Sequence, residues 1–115
     1  MINSNNQKPV VLVIAGHDPS GGAGIQADIE SISSAGCHAT TVITSLTTQN
    51  TNKVLDVIPQ TPEPFRNQIR LILEDMDIVA CKIGMIGSVE LLEVIVDELA
   101  EINIPMVLDP VMCST

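Results

Sequence analysis

Ile14-Ala-Gly-His-Asp-Pro-Ser-Gly-Gly-Ala-Gly-Ile-Gln-Ala-Asp28 changes character twice within fifteen residues. The run that leads into it, residues 10–15, is apolar throughout, has the length of a strand and stops at Gly16. Pro19 and the glycines Gly21, Gly22 and Gly24 then make a turn-prone segment. Beyond it, Ile25, Ile29, Ile32 and Ala35 follow at helical spacing. The pattern predicts a strand over residues 10–15, a small-residue loop, and a helix from residue 22 or 23 to 35 with Gly36 closing it at C′. In open α/β sheets such a junction lies at the carboxyl end of a strand, where ligands bind. Glycines let backbone and ligand approach closely, and a helix N-terminus favours an anion or a polar acceptor.

Two phosphate-binding motifs fail on this loop. A P-loop needs lysine and a hydroxyl residue after its last glycine. Here Ile25 and Gln26 follow Gly24, and no lysine lies between Lys8 and Lys53. Residues 22–27 do fit the looser G-x-G-x-x-G/A dinucleotide pattern. Yet Gly22 comes seven residues after Ala15, and the next predicted strand, residues 38–46, carries no acid for a ribose.

Working outward, the alternation continues. Residues 38–46 are rich in β-branched side chains and read as a strand. Residues 47–52 read as a polar loop, and residues 54–58 as a short strand closed by Pro59. Thr61 as a capping hydroxyl, Pro62 and Pro64 in the first turn, and Glu63 mark a helix start. Phe65, Ile69, Ile72 and Leu73 form its apolar stripe, to about Asp75. Residues 78–83 are a third buried strand, and residues 84–88 a small loop with Ser88 as candidate N-cap. In the next helix Leu92, Ile95, Val96, Leu99 and Ile102 predict one buried face, with Glu90, Glu93, Asp97, Glu98 and Glu101 as a solvated acidic face. Residues 105–108 form a fourth principal strand. The class is therefore α/β, a three-layer αβα arrangement with a mainly parallel sheet and right-handed crossovers. The polar or glycine-rich stretches 16–24, 47–52, 84–88 and 109–115 all follow strands and should gather on one edge of the sheet.

Composition narrows the function. The 115 residues suffice for one small domain, and 45% hydrophobic content argues for a folded core. Phe65 is the single aromatic residue, so that core must be aliphatic. Five basic against fourteen acidic residues give a formal charge of −9, which argues against nucleic acid or an anionic membrane as partner. Cys37, Cys81 and Cys113 lack zinc or redox spacing and suit a reducing cytoplasm. Residues 1–9 read as a flexible start without signal-peptide character, and no uncharged apolar stretch is long enough to span a bilayer.

Residues 16–28 resemble the N-terminal signature of the hydroxymethylpyrimidine/phosphomethylpyrimidine kinases, thiamin-pathway enzymes of the ribokinase-like superfamily with pyridoxal kinases as relatives. Residues 44–51 (TSLTTQNT), 82–86 (KIGMI) and 107–112 (VLDPVM) resemble further blocks in the family's order. The resemblance implies that residues 10–115 are the N-terminal, substrate-side part of a ribokinase-like domain. It implies ATP-dependent phosphorylation of hydroxymethylpyrimidine and of its monophosphate, with ATP and Mg²⁺ as cofactors. It is compatible with a homo-oligomer in the complete enzyme.

Each candidate residue has a plain and a functional reading. Asp28 is either a surface acid favoured near a helix N-terminus or a carboxylate accepting from a substrate amino group. Gln49 is an ordinary loop glutamine, or the amide whose acceptor and donors pair with the edge of a pyrimidine. The resemblance favours the second reading for both. It adds Gly16, Gly84 and Met85 as the pocket's shape and gives Asp109 an approach to nucleotide phosphates through Mg²⁺. Asp109 equally suits a loop anchor. Lys82 suits a strand-end lysine that reaches solvent, and His17 a hydrogen-bonding loop residue. Family members are more than twice as long, and their second half brings most of the ATP site, the general base and a glycine-rich anion hole. The expectation is that this chain is an incomplete portion, carries no catalytic base, and transfers no phosphate alone. An exposed sheet edge after residue 108 is expected to make it self-associate. The alternatives are a pyridoxal kinase-like enzyme and a non-catalytic pyrimidine-binding module.

Overall fold

The computed structural model describes residues 8–109. Residues 1–7 of the expected flexible start, Cys113, and the end of the 107–112 block lie outside the described residues. In chain order the elements are β1 (Val10–His17), α1 (Gly24–Ser34), β2 (His38–Gln49), β3 (Val54–Pro59), α2 (Pro62–Asp75), β4 (Ile78–Ile83), α3 (Val89–Leu99) and β5 (Met106–Leu108). The sheet order is β3-β2-β1-β4-β5. β1 pairs in parallel with β2 and β4, β4 in parallel with β5, and only β3 runs antiparallel.

β1 is apolar on both faces because both faces are covered. Leu12 and Ile14 join the α2/α3 side of the core, with Val42, Phe65, Ile69, Leu91, Val94 and Ile95. Val13 and Ala15 join Ile25 of α1 on the other side. These are the expected three layers. The order reverses at β1, whose neighbours are β2 on one side and β4 on the other. That reversal opens a crevice at the carboxyl ends of the strands.

Helix ends follow local chemistry. α1 closes in a Schellman motif: Cys37 N–H donates to Ile32 C=O and Gly36 N–H to Ser33 C=O, both at 3.1 Å. This needs the left-handed φ of +85° at Gly36. Ser88 caps α3 by accepting from Leu91 N–H at 3.2 Å. Thr61 stands at the N-cap of α2, but its hydroxyl makes no capping bond.

The structure corrects several expectations. β1 extends past Gly16 to His17 through an irregularity in its pairing with β2. Residues 47–49 are strand and not loop, because β2 changes partner and pairs with β3 from Ser45 onward. Gln49 therefore sits on a paired strand end. Ile29 and Ala35 of the first helix's stripe are exposed. In α3 the buried face is Leu91, Val94, Ile95 and Leu99, whereas Leu92 and Val96 are 44% and 58% exposed. The helix is apolar on too many sides for spacing to choose a face. Contact with α2 chooses it: Glu98, expected on the wet face, is mostly covered and accepts from Arg70 Nε at 2.9 Å and from Arg66.

The Arg70 hydrogen bond, supported by Arg66, holds the Glu98 carboxyl below its ordinary value although partial burial pushes the other way. A depressed carboxyl contributes stability that is present above its unfolded pKa, about 4.3, and lost as pH falls through the folded value. Glu98→Gln is therefore expected to lower Tm by a few degrees at neutral pH and by progressively less below about pH 4. Thermal melts from neutral to acid pH check this, and parallel Tm-versus-pH curves for the two proteins would contradict it.

Candidate functional site

The loop after β1 is wound around Asp18, which no sequence signal marked. Its Oδ1 accepts from Ser20 N–H at 2.9 Å and from the Ser20 hydroxyl at 2.7 Å. Its C=O accepts from Gly21 N–H, closing a tight turn. The Ser20 hydroxyl, and then the backbone N–H groups of Ser20, Ala23 and Gly22, hold the Asp18 carboxyl below its usual range against the opposing effect of burial. The loop then doubles back on β1, and Gly24 bridges His17. A Cβ at Gly24 would press into the Gly16 carbonyl oxygen, and its φ is +65°. Only glycine meets both conditions without strain.

β2 supplies a second wall and fastens two others. Gln49 Nε2 donates to Thr47 Oγ1 at 2.7 Å, and the Thr47 hydroxyl donates to the His17 C=O at 2.7 Å. This relay orients the Gln49 amide and leaves its Oε1 and one N–H unused by it. The buried Thr44 and Ser45 hydroxyls donate to the carbonyls of Met85, at 2.7 Å, and Ile86, at 3.3 Å. They hold the loop after β4 over the end of β1. Met85 consequently lies against Gly16, where a Cβ would collide with its methyl group.

Lys82 of β4 does not reach for solvent. Its Nζ lies 2.9 Å from both oxygens of Asp28 and 3.7 Å from Asp109 Oδ2. Three elements, α1, β4 and the end of β5, thus bring one cation and two carboxylates together. On the opposite face of β4, in the α2/α3 core, Cys81 is buried, and burial pushes its thiol up to about 11. It is protonated at neutral pH and is no nucleophile.

These walls enclose a cleft of about 380 Å³. All six residues singled out from the sequence, Gly16, Asp28, Gln49, Gly84, Met85 and Asp109, line it. His17, Lys82 and Thr47 line it too, as do Val54 and Val57 of β3. The valines could not be anticipated, because they reach the cleft only through the antiparallel β2–β3 pairing. Thr44 and Ser45 gave no signal either, since each resembles any small polar residue in a β-branched strand. Among the described residues no group of three His, Cys, Asp or Glu side chains could hold a metal ion. No helix among them is long and apolar enough to cross a membrane.

A family model described as phosphomethylpyrimidine kinase matches residues 18–115. The chain is 44% identical over 105 residues to the hydroxymethylpyrimidine/phosphomethylpyrimidine kinase of Haemophilus influenzae, covering 90% of this chain and 39% of that one. The crystal structure of phosphomethylpyrimidine kinase from Clostridium difficile superposes with a TM-score of 0.86 at 44% identity, over 94% of this chain and 47% of the other. Pyridoxal kinase from Staphylococcus aureus, in complex with AMP-PCP and pyridoxal, superposes with a TM-score of 0.82 at 29% identity, over 96% of this chain and 41% of the other. The same pyridoxal kinase has also been solved with ADP. The chain thus spans 39–47% of the length of these relatives.

Proposed function

This chain belongs to the phosphomethylpyrimidine kinase family, and on that basis we propose that its cleft receives 4-amino-5-hydroxymethyl-2-methylpyrimidine. The activity it serves is ATP-dependent phosphorylation of that alcohol and then of its monophosphate, in the cytoplasm. The observation that carries this reading is the Gln49 amide. Its relay to Thr47 and His17 leaves one acceptor and one donor for a ligand, in a cleft whose nearby Met85 and Gly16 suit a flat ring. An aminopyrimidine edge offers the complementary donor and acceptor. Asp28 supplies a further acceptor, since a carboxylate has about four lone-pair sites and Lys82 occupies two. The higher identity to the pyrimidine kinase than to the pyridoxal kinase favours the pyrimidine.

In this reading residues 10–115 are the substrate-side part of the kinase domain. The donor set agrees with a nucleotide-borne Mg²⁺ held by Asp109, because Mg²⁺ commonly uses one or two carboxylates together with phosphates and water. Bound there, the ion would neutralise phosphate charge. No described residue in the cleft combines a base with an anion hole, and anion stabilisation is usually the larger contribution to such reactions. In this reading the described cleft residues bind the pyrimidine and are not by themselves sufficient to transfer phosphate to it.

Calorimetric titration with the pyrimidine and with pyridoxal tests the reading. Binding should favour the pyrimidine, and Gln49→Ala should weaken it by about 10–100-fold, because a ligand polar group loses its partner in a closed cleft. Labelled ATP should transfer no phosphate with the chain alone. Preference for pyridoxal, or affinity indifferent to Gln49→Ala, would contradict the assignment.

A further inference from the structure

Lys82 is the cleft residue whose position the proposed function leaves unused. It stands in a strand otherwise made of apolar and small side chains, with Cys81 and Ile83 buried on either side of it. Among the described residues that line the cleft it is the one lysine or arginine, facing a cleft that also holds Asp18, Asp28 and Asp109. An ammonium group has three donors. Two are used on Asp28, and Asp109 at 3.7 Å lies beyond hydrogen-bonding range. The space beside the amine is open because residue 84 is glycine: a Cβ there would lie 3.5 Å from Lys82 Nζ. So the cleft contains a cation held on a flexible stem, with one free donor and an unobstructed approach. Three carboxylates around an aqueous cleft repel an anion unless a cation offsets them, and Lys82 is placed to do so.

We propose that Lys82 is the phosphate seat of this cleft. Its ammonium group rests on Asp28 when the ligand is neutral and moves to phosphate oxygens when the ligand carries a phosphate. The stem's rotatable bonds permit the exchange, and Asp28 keeps the charge poised in the cleft instead of at the surface. The shared chemistry is a phosphate group, carried either by the acceptor monophosphate or by the nucleotide. The inference rests on the proposed function for the first of these ligands and stands apart from it for the second.

Calorimetry on the full chain with the hydroxymethylpyrimidine, its monophosphate and ADP separates the outcomes, using Lys82→Met and Lys82→Arg, with circular dichroism to confirm folding. Lys82→Met is expected to weaken a phosphate-bearing ligand by about 10–100-fold more than it weakens the neutral alcohol, whose contact with Asp28 it disturbs only indirectly. Lys82→Arg should keep most of the phosphate affinity, because it keeps the charge. Loss confined to the monophosphate assigns the seat to the acceptor, and loss confined to ADP assigns it to the nucleotide. Equal weakening of alcohol and monophosphate would mean that Lys82 only positions Asp28, and would overturn the proposal. So would unchanged affinity for both phosphate ligands, or no phosphate binding by the unaltered protein. Lys82-dependent ADP binding without any pyrimidine binding would sink the proposed function and leave this seat intact. Pyrimidine binding with phosphate ligands indifferent to Lys82→Met would do the reverse.

Discussion

Phe65→Ala should lower the unfolding free energy by about 3–5 kcal/mol, the range for deleting a fully buried aromatic side chain. Phe65 is completely inaccessible and is the largest of the fully buried side chains. It stands in the first turns of α2 and joins the core that includes β1, β2 and α3. Strands hydrogen-bonded on both edges cannot close into the space its ring leaves, so most of the cavity should persist. Typical domains have about 5–15 kcal/mol in all, so this one change removes a large share. Leu71→Ala on the same helix supplies the contrast: Leu71 is 64% exposed, and its loss should stay within about 0.5 kcal/mol. Urea titration with an unchanged slope measures both. A cost below about 1.5 kcal/mol for Phe65→Ala, outside the usual range for such a deletion, would show that the helix layer can settle onto the sheet.

Gly24→Ala should act on stability and on the cleft together. The left-handed backbone at residue 24 costs an alanine about 1–2 kcal/mol, and the new methyl group meets the Gly16 carbonyl oxygen, whose flanking residues Ala15 and His17 are both paired with β2. Gly36→Ala separates the two effects. Gly36 is also left-handed but has open space where its Cβ would be. It should show the backbone cost alone and leave ligand affinity unchanged. Gly24→Ala should cost more than Gly36→Ala in melting experiments and weaken pyrimidine binding by about 10-fold or more, as expected when a positioning loop shifts by about 1 Å. Equal destabilisation by the two alanines, with binding intact in both, would show that the loop yields easily.

The order of strands and helices was legible because each element carries its own period and its own punctuation. Gly36, Ser88 and the apolar run of β1 each act locally, and each does what its residue type demands. Legibility ended where a distant partner decides. Residues 47–49 are polar and read as loop, but β3 pairs with them and makes them strand. Leu92 and Leu91 fit helical spacing equally well, and packing of Leu91, Val94 and Ile95 into the core beside α2, with Glu98 paired to Arg66 and Arg70, turns Leu91 inward. In the site, the family-like blocks marked Gly16, Asp28, Gln49, Gly84, Met85 and Asp109, and all of them line the cleft. What one sequence could not show is who meets whom: Lys82 with Asp28, Thr44 with Met85, Thr47 with His17.

The central position of β1 sets the order of synthesis against the order of burial. The most thoroughly covered of the described strands leaves the ribosome before its neighbours, apolar on both faces. Val10 must wait for His38 to pair on one edge and for Ile78 on the other. Until β4 emerges, the nascent chain holds an unprotected edge and an uncovered face on its own innermost strand. Such a nascent segment is exposed to misassociation until its later partners have emerged.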